Sequence, residues 1–246
     1  MIPVPESFLA RALRHLAWRC DAITMRRYRA RHRANASDAV CDWDWAATPF
    51  NRIALVNHLL RRIPDAAYLE IGCDREALFR SVPVADKTGV DPVRGGTVRS
   101  TSDAFFATND RRFDLCFIDG LHSYEQTRRD VVAALAAMKP GGWILIHDLL
   151  PRSWEEEHVP RFREEWTGDV WKVAVDLAAS PDVDFAIAAI DHGVGIVRPH
   201  VPQARLAESA PGLSEARFAA FCEIVPSLPV LGWDETLDWI ARLDPR

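Results

Sequence analysis

The sequence predicts an α/β fold with a mostly parallel sheet, and three observations support this prediction. Short apolar runs bounded by turn residues alternate with longer segments whose apolar residues recur at helical spacing. This alternation is typical of strand–helix–strand units with right-handed crossovers. Two apolar runs at 184–190 and 193–197, joined by a turn at 191–193, predict a hairpin and hence one antiparallel strand. The composition, 48% hydrophobic and 26% charged over 246 residues, is that of an ordinary globular chain.

A chain of this length is expected to form one main domain with terminal additions. Residues 1–50 are predicted to form a helical and irregular N-terminal arm, 51–200 the main domain, and 201–246 a C-terminal helical cap. The arm begins with an arginine-rich segment at 1–34 that has apolar residues at helical spacing. Two interpretations stay open for it: a solvated helix face, or a basic lid for an acidic substrate or partner.

The first half of the main domain is predicted as helix, strand, turn, helix and strand. Thr48-Pro49 starts the first helix, which ends near Arg62. The strand that begins at Tyr68 leads into a tight turn at Gly72. A helix follows the turn, and then a second buried strand that ends in an acid. A short third strand is expected at 97–100.

The second half continues the alternation. The run 113–118, FDLCFI, is nearly all apolar, as expected for a central parallel strand covered on both faces. A helix is predicted over 123–138, with Val132 among its buried residues, and Lys139-Pro140-Gly141-Gly142 should stop it. The further predicted elements are a strand at 143–146, a helix from Thr167 or Asp169 to about 178, the hairpin, and the helical tail.

Bulk properties argue against several classes of protein. A net charge of −5 and a pI near 5.9 provide no field that would attract nucleic acid or an anionic membrane surface. No apolar run resembles a signal peptide or a membrane span, so the expected location is the cytoplasm. The five cysteines are far apart and no pair has CxxC spacing, so neither a zinc site nor a disulfide framework is predicted.

Chemistry in open α/β sheets is expected just after the carboxyl ends of the strands. The candidate residues therefore directly follow or end the apolar runs. They are Glu70, Gly72, Cys73, Asp74, Asp91, Pro92, Ser102, Asp103, Asp119, Gly120, His122, His147 and Asp148.

The turn after the first strand argues against a dinucleotide. A GxGxxG motif would need glycines where this chain has Gly72, Asp74 and Ala77. A carboxylate at the second of these positions has the wrong size and the wrong sign for a pyrophosphate. Asp91, about 20 residues after the turn, suits a ribose diol, which any adenosine ligand carries.

S-adenosylmethionine has the same adenosine with the opposite charge. It lacks phosphate and carries a sulfonium and an ammonium group, so a crevice lined by acids such as Glu70 and Asp91 favours it. The residues therefore suit this cofactor better than NAD.

Four segments, in order and at matching spacing, resemble the class I S-adenosylmethionine-dependent methyltransferases, in particular the small-molecule methyltransferase-domain group. They are YLEIGCD, GVDP, FDLCFIDGLHSYEQTRRDV and MKPGGWILIHD, and together they cover about 68–150. The resemblance implies a Rossmann-like sheet of seven strands with helices on both faces. It also implies methyl transfer from S-adenosylmethionine, with O-methylation of a sugar or natural-product hydroxyl as the expected reaction.

The resemblance also implies roles for individual residues. Glu70 and Gly72 would lie by the methionine moiety, Asp91 by the ribose, and Asp119 at the methyl-donor end. The full set expected to bind the cofactor is Glu70, Gly72, Cys73, Asp74, Asp91, Pro92, Ser102, Asp103, Asp119 and Gly120. The turn keeps one glycine where the family has two or three.

Three groups could serve the acceptor: His122, His147 and Asp148. A hydroxyl must lose its proton as the methyl transfers, and histidine is suited to receive it. In the related metal-dependent methyltransferases, carboxylates at the positions of Asp119 and Asp148 hold magnesium, and oxygen ligands suit Mg²⁺. Leu149 stands where a third ligand is usual.

Two rival functions stay open at this point: an NAD-type oxidoreductase, and a non-catalytic binding module with a methyltransferase-like fold. The expected partner is a small-molecule acceptor, with a homodimer left open, and neither nucleic acid nor a membrane is expected.

Overall fold

The computed structural model describes residues 23–24, 26–45, 47–161 and 163–244. Within them, seven strands form one sheet in the order β2-β1-β3-β4-β6-β5-β7. All neighbouring strands are parallel except those paired with β6, which confirms the prediction of a mostly parallel sheet with one antiparallel strand. The strands are Ala67–Ile71 (β1), Asp86–Val90 (β2), Phe113–Ile118 (β3), Met138–Ile146 (β4), Val183–Ala188 (β5), Val194–Pro199 (β6) and Val230–Leu231 (β7).

Helices cover both faces of the sheet, as predicted. They are Arg52–Leu60 (α1), Ala77–Ser81 (α2), Ser102–Thr108 (α3), Tyr124–Ala137 (α4), Trp154–Glu157 (α5), Trp171–Ala178 (α6), Phe218–Ile224 (α7) and Trp233–Leu243 (α8). Short 3₁₀ turns lie at Arg33–Asn35 and Val225–Ser227, and residues 26–31 of the arm are helical. The predicted helix over 1–34 otherwise falls mainly outside the described residues.

The core has two layers because side chains alternate across each strand. Leu69, Cys116 and Ile144 point to one face, where they pack with residues of α4, α6 and α7. Tyr68 and Leu115 point to the other face, where they pack with residues of α1, α2 and α8. Nearly every residue of β1, β3 and the second half of β4 is buried, as expected of central strands.

The structure corrects three element boundaries. Helix α1 begins at Arg52 rather than at Thr48-Pro49, because the side chain of Asn51 accepts a 2.9 Å hydrogen bond from the Ile53 amide and caps the helix there. The predicted strand at 97–100 is reduced to a single parallel bridge between Val90 and Val98.

The third correction concerns the start of β4. The predicted stop at 139–142 lies inside this strand, which begins at Met138 and has an irregular register before Trp143. Val132, predicted to be buried on α4, is 46% exposed.

The seventh strand was not predicted where it occurs. β7 belongs to the C-terminal segment, which was expected to be helical, and it pairs in parallel with β5. The same segment supplies α7 and α8, in agreement with the prediction of helices there. Over the described ranges, none of the helices combines the length and the apolar character needed to span a membrane.

Candidate active site

The loops after β1, β3 and β4 meet at one edge of the sheet. The ladder continues one residue past each strand: the amide of Gly72 donates to Val90 O at 2.9 Å, and the amide of Asp119 donates to Ile71 O at 2.8 Å. The amide of His147 donates to Ile118 O at 3.0 Å. The polar residues that follow these strands are therefore fixed by the sheet itself.

Glu70, near the end of β1, is a buried acid in this edge, with 2% of its surface exposed. Its Oε2 accepts a 2.5 Å hydrogen bond from the hydroxyl of Tyr68, two residues earlier on the same face of the strand. Burial raises the pKa of Glu70 to about 7, and the charge of Asp119 adds to the rise. A buried carboxyl with few neighbouring groups to stabilise its negative charge suits a cationic group of a ligand.

Gly72 allows the turn after β1 to pack against the loop after β3. Its φ of +85° lies in the region that favours glycine, and a Cβ at this position would lie 2.0 Å from the carbonyl oxygen of Asp119. The single glycine of the turn is therefore required by the contact between two loops, whatever binds beside them.

Asp91, after β2, holds the turn at 73–74 in place. Its Oδ2 accepts 3.0 Å hydrogen bonds from the amides of Cys73 and Asp74, while its Oδ1 accepts from those of Val93 and Arg94 at 2.7 and 2.8 Å. Burial alone would raise the pKa of Asp91, but these four bonds lower it. Because a carboxylate offers about four lone-pair positions, a ribose hydroxyl must replace or share one of these bonds.

The remaining residues predicted to bind the cofactor surround this turn. Cys73 is buried, whereas Asp74 is exposed and forms an ion pair with Arg94. Ser102 and Asp103 open α3, where both accept hydrogen bonds from the side-chain amide of Gln126 on α4. Pro92 and Gly120 lie in the loops after β2 and β3.

His122 lies between two carboxylates and faces acceptors with both ring nitrogens. Nε2 is 3.3 Å from Oδ1 of Asp119, and Nδ1 is 3.0 Å from both Oδ2 of Asp148 and the carbonyl oxygen of Trp166. Burial alone would lower the pKa of His122, but the charge of Asp148 and the hydrogen bonds that the ring donates to both carboxylates raise it to about 10. The surroundings of this ring therefore stabilise its protonated form.

His147 completes what we call the central cluster, which consists of Asp119, His122, His147 and Asp148. Its Nδ1 is 3.3 Å from Asp119 and 3.2 Å from Asp148, but neither approach has hydrogen-bond geometry, so this buried atom has no hydrogen-bond partner among the described residues. Asp119 and Asp148 carry the negative charge of the cluster. Burial opposes their ionisation, yet the two rings hold the pKa of Asp148 at about 2 and that of Asp119 well below its usual range.

Arg52 and Asp191 contact the far side of the His147 ring. Nη1 of Arg52 is 3.2 Å from Nε2 of His147, and Oδ1 of Asp191 is 3.7 Å from the same atom. The carboxylates of the cluster raise the pKa of His147, but a second proton on Nε2 would face the guanidinium. Because arginine has only donors, this geometry supports a ring proton on Nδ1.

The segment WTGDVWK fixes the loop that carries His122. Gly168, with a φ of +64°, packs so closely that a Cβ would lie 1.8 Å from the carbonyl oxygen of His122. Oδ1 of Asp169 accepts a 2.7 Å hydrogen bond from the amide of Tyr124, the first residue of α4. The ring of Trp166 stacks on His122, with 5.0 Å between centroids and 17° between planes.

The backbone at this edge adopts unusual conformations. Asp148, Asp191 and His192 have φ values of 67°, 47° and 62°, which are uncommon for residues other than glycine. Such conformations persist only where the surrounding structure enforces them, and they concentrate at functional sites. Here these conformations occur in the loop after β4 and in the hairpin turn, the two segments that approach His147.

The structure brings His122, His147, Asp148 and Asp119 together, as the strand-end argument predicted. Three functional candidates were missed by sequence reasoning: Arg52, Asp191 and the indole of Trp45, which lies against His192. In the sequence, residues 191–193 indicate only a hairpin turn. Because β5 runs parallel to β4, its carboxyl end lies at the same edge of the sheet, and this signal could have identified Asp191. Of the tryptophans in the segment 154–171, Trp166 contacts His122, whereas Trp154 and Trp171 are buried in the core.

Comparisons with known proteins agree with this fold. A family model described as a methyltransferase domain matches residues 8–149. A Corynebacterium glutamicum protein is 12% identical with a TM-score of 0.46, covering 74% of this chain and 90% of its own. A Podospora anserina methyltransferase bound to SAH is 15% identical with a TM-score of 0.45, covering 80% and 99%. The Streptomyces achromogenes O-methyltransferase TomG, in complex with SAM, is 16% identical with a TM-score of 0.42, covering 59% and 78%.

Resemblances as distant as these three do not extend to acceptor or mechanism, and no curated protein matches the chain. The family model is different, because it spans more than half of the 246 residues and includes β1 to β4 with the loops that form the candidate site. The chain therefore belongs to the methyltransferase-domain family and is a class I S-adenosylmethionine-dependent methyltransferase.

Proposed function

We propose that this methyltransferase methylates a hydroxyl group of a small molecule, such as a sugar or another natural product. The observation that carries the proposal is the position of His122, between the carboxylates of Asp119 and Asp148 at the edge where the strands end. A hydroxyl becomes a better nucleophile when a group beside it receives its proton, and the central cluster offers such a group.

The crevice beside β1 supports the cofactor assignment of individual residues. Glu70 brings a buried carboxyl with a raised pKa, and Asp119 and Asp148 add two ionised carboxylates. When bound, S-adenosylmethionine supplies an electrophilic methyl group on a sulfonium. The negative side chains favour a cationic ligand at this place and disfavour a pyrophosphate, which speaks against the NAD-type oxidoreductase.

His122 is the base in this proposal, and Asp119 and Asp148 stabilise the imidazolium that forms. The two carboxylates raise the pKa of His122 to about 10, so without another cation the ring already holds its proton near neutral pH. A cation beside the same carboxylates lowers the pKa of the ring. A bound cation and the protonated His122 ring therefore compete for the negative charges of Asp119 and Asp148. Because the bound cation lowers the pKa of the ring, it prepares His122 to accept a proton.

Magnesium at Asp119 and Asp148 stays a prediction, and the residues present fit a divalent cation. The carboxylate oxygens of Asp119 and Asp148 would hold the ion, and a nitrogen of His122 lies within 4.8 Å of both and stays free to act as the base. When bound, a divalent ion would lower the pKa of an acceptor hydroxyl.

Aromatic side chains near the cluster support an acceptor with a flat or ring-shaped body. Trp166 stacks on His122, and Trp45 lies 5.7 Å from the ring of His192. Indoles bind sugar and aromatic rings by stacking while keeping a polar N–H free to bond. Nε1 of Trp45 is buried and has no hydrogen-bond partner among the described residues.

The test separates cofactor binding from methyl transfer. Calorimetry with S-adenosylmethionine, its demethylated product and NAD should show binding of the first two only. A panel of glycosides and phenols is then screened for release of the demethylated cofactor, with and without a chelator. His122→Gln should still bind the cofactor but lose most of the transfer, whereas His200→Gln, an exposed histidine far from the cluster, should not change it.

Each rival predicts a different outcome. Binding of NAD alone would favour the oxidoreductase. Binding of S-adenosylmethionine with no transfer to any hydroxyl of the panel, and equal background rates in His122→Gln, would favour a non-catalytic module. Loss of activity with the chelator, restored by Mg²⁺, would support the metal at Asp119 and Asp148.

A further inference from the structure

A cavity lies at the end of the sheet opposite the central cluster. Its volume is about 730 Å³, and it is bounded by α4, the start of β4, the end of β6 and the segment 200–206. Met138 and Pro199 mark this edge, because parallel strands begin there and the antiparallel β6 ends there. The volume lies in the range of sites for small organic ligands, which is roughly 300–1,000 Å³.

Much of the cavity wall is apolar. Val132, Leu135 and Met138 come from one side, and Val201 and Leu206 from the other. Val132 is 46% and Val201 39% exposed, and both belong to this contiguous apolar wall. These side chains gain free energy if an apolar ligand body covers them, at about 25 cal/mol per Å².

The charged groups of the wall all have the same sign. Arg112, Arg128, Lys139 and Arg205 line the cavity, and none of the residues that line it, all of which the structure describes, is acidic. Arg128 is paired with Asp176 at 3.0 Å and Lys139 with Asp114 at 2.7 Å, both outside the wall.

Arg112 and Arg205 differ from the other two cations of the wall. Within the described ranges, neither guanidinium has a carboxylate at ion-pair distance; Arg112 donates only a 3.4 Å hydrogen bond to the carbonyl oxygen of Arg111. The amide of Arg205, not its side chain, donates to Asp182. A guanidinium presents parallel donors that match a carboxylate or a phosphate. Two such groups at an apolar cavity form a complement to an anion with an apolar tail.

We propose that this cavity binds an anionic amphiphile, a carboxylate or phosphate head group attached to a linear apolar chain. Arg112 and Arg205 bind the head group, and the chain lies against Val132, Leu135 and Val201. The site is separate from the central cluster, so binding here does not compete with S-adenosylmethionine.

The proposal is tested by calorimetry on the full chain with dodecanoate, dodecyl phosphate and dodecanol, each below its micelle concentration. One equivalent of an anion should bind at least tenfold more tightly than dodecanol. Whichever anion binds more tightly identifies the preferred head group. The double variant Arg112→Gln/Arg205→Gln should weaken anion binding at least tenfold, whereas Arg242→Gln, on the exposed face of α8, should leave it unchanged.

A third variant, Val201→Asp, places a negative charge at the mouth of the cavity on an exposed residue and should also weaken anion binding. Thermal unfolding confirms that each variant is folded, and S-adenosylmethionine binding should be unaffected by dodecanoate. Equal binding of dodecanol and dodecanoate, several equivalents bound, or unchanged affinity in both the double variant and Val201→Asp would overturn the proposal.

Discussion

Arg52 and Asp191 form an ion pair of 2.7 Å across 139 residues of sequence. The backbone amide of Arg52 also donates to the same carboxylate oxygen at 3.2 Å. The pair joins the first residue of α1 to the hairpin turn between β5 and β6, and both side chains approach Nε2 of His147. The imidazole of His147 is thus positioned by α1 and by the hairpin turn. Neither of these elements carries a carboxylate of the central cluster.

Replacing Arg52 should therefore impair catalysis more than stability. We expect Arg52→Met, which keeps the length of the side chain, to reduce kcat by on the order of tenfold to a hundredfold, because His147 loses the donor that fixes its ring. The measurement is steady-state kinetics on an acceptor from the panel, with ¹⁵N NMR of the ring to follow its tautomer. Arg61→Met, at the exposed end of the same helix, is the control. An unchanged kcat together with an unchanged tautomer would contradict the role of Arg52.

Two glycines with similar backbone angles should respond very differently to alanine. Gly72 has a φ of +85° and would place its Cβ 2.0 Å from Asp119 O, whereas Gly212 has a φ of +79° with nothing within 4 Å of the added atom. Gly212→Ala should cost only the backbone strain, about 1 kcal/mol, while Gly72→Ala should cost several times more. Urea unfolding of both variants measures the difference, and similar losses in the two would show that the close loop contact is not required.

The acidic run at 155–157 gives a pH prediction. Glu157 is 3% exposed, and burial raises its pKa to about 7 even though Nε1 of Trp171 donates to it. The stabilising proton is present in the folded state below the unfolded pKa of 4.5 and is lost as the pH rises through about 7. The wild-type chain therefore loses up to about 3 kcal/mol of stability over this window.

Glu157→Gln removes that loss. Its free energy of unfolding should match the wild type at pH 4.5 and exceed it at pH 8, as measured by urea unfolding at both pH values. Glu164→Gln, an exposed position in the same segment, is the matched control. A gain for Glu157→Gln that is the same at both pH values would contradict the predicted burial of a neutral carboxyl.

The thiols of Cys41 and Cys222 lie 3.6 Å apart, one in the N-terminal arm and one on α7. Burial and the neighbouring thiol raise the pKa of Cys41 to about 12, so the pair should resist exchange with oxidised glutathione near neutral pH and react as the pH rises. Oxidation should then give one intramolecular disulfide, detected by peptide mass mapping and absent from Cys41→Ser. By the chain-entropy model, closing a loop across 181 residues stabilises the fold by about 5 kcal/mol. A disulfide to Cys73 or Cys116 instead would show that the arm packs differently.

Much of the sheet could be predicted because local patterns determine it. The run at 113–118 is strand β3 in the structure, and the hairpin follows from two apolar runs with a short turn. The strand-end rule placed Asp119, His122, His147 and Asp148 together because parallel strands end at one edge. These relations depend on residues close in sequence or on the order of strands.

What could not be predicted depends on contacts between distant segments. Nothing near Arg52 in the sequence indicates that its partner is Asp191, since the pairing requires the path of the whole sheet. The packing of Gly168 on the carbonyl of His122 could not be predicted either, because it joins segments 46 residues apart in the sequence. β7 was missed because two residues carry no periodicity, and the exposure of Val132 because its helix borders a cavity.

Strand β7 is only Val230 and Leu231, yet it changes what the molecule presents to its surroundings. Without it, the backbone of β5 would have one side unpaired over Ile187 and Ala188, in a strand that is apolar apart from Asp184. Open, apolar strand edges recruit further strands from other molecules. Those two residues cover the carboxyl end of β5 on the side away from β6. A shortened protein that lacks them would therefore be more prone to edge-to-edge aggregation, even if it keeps every group of the central cluster.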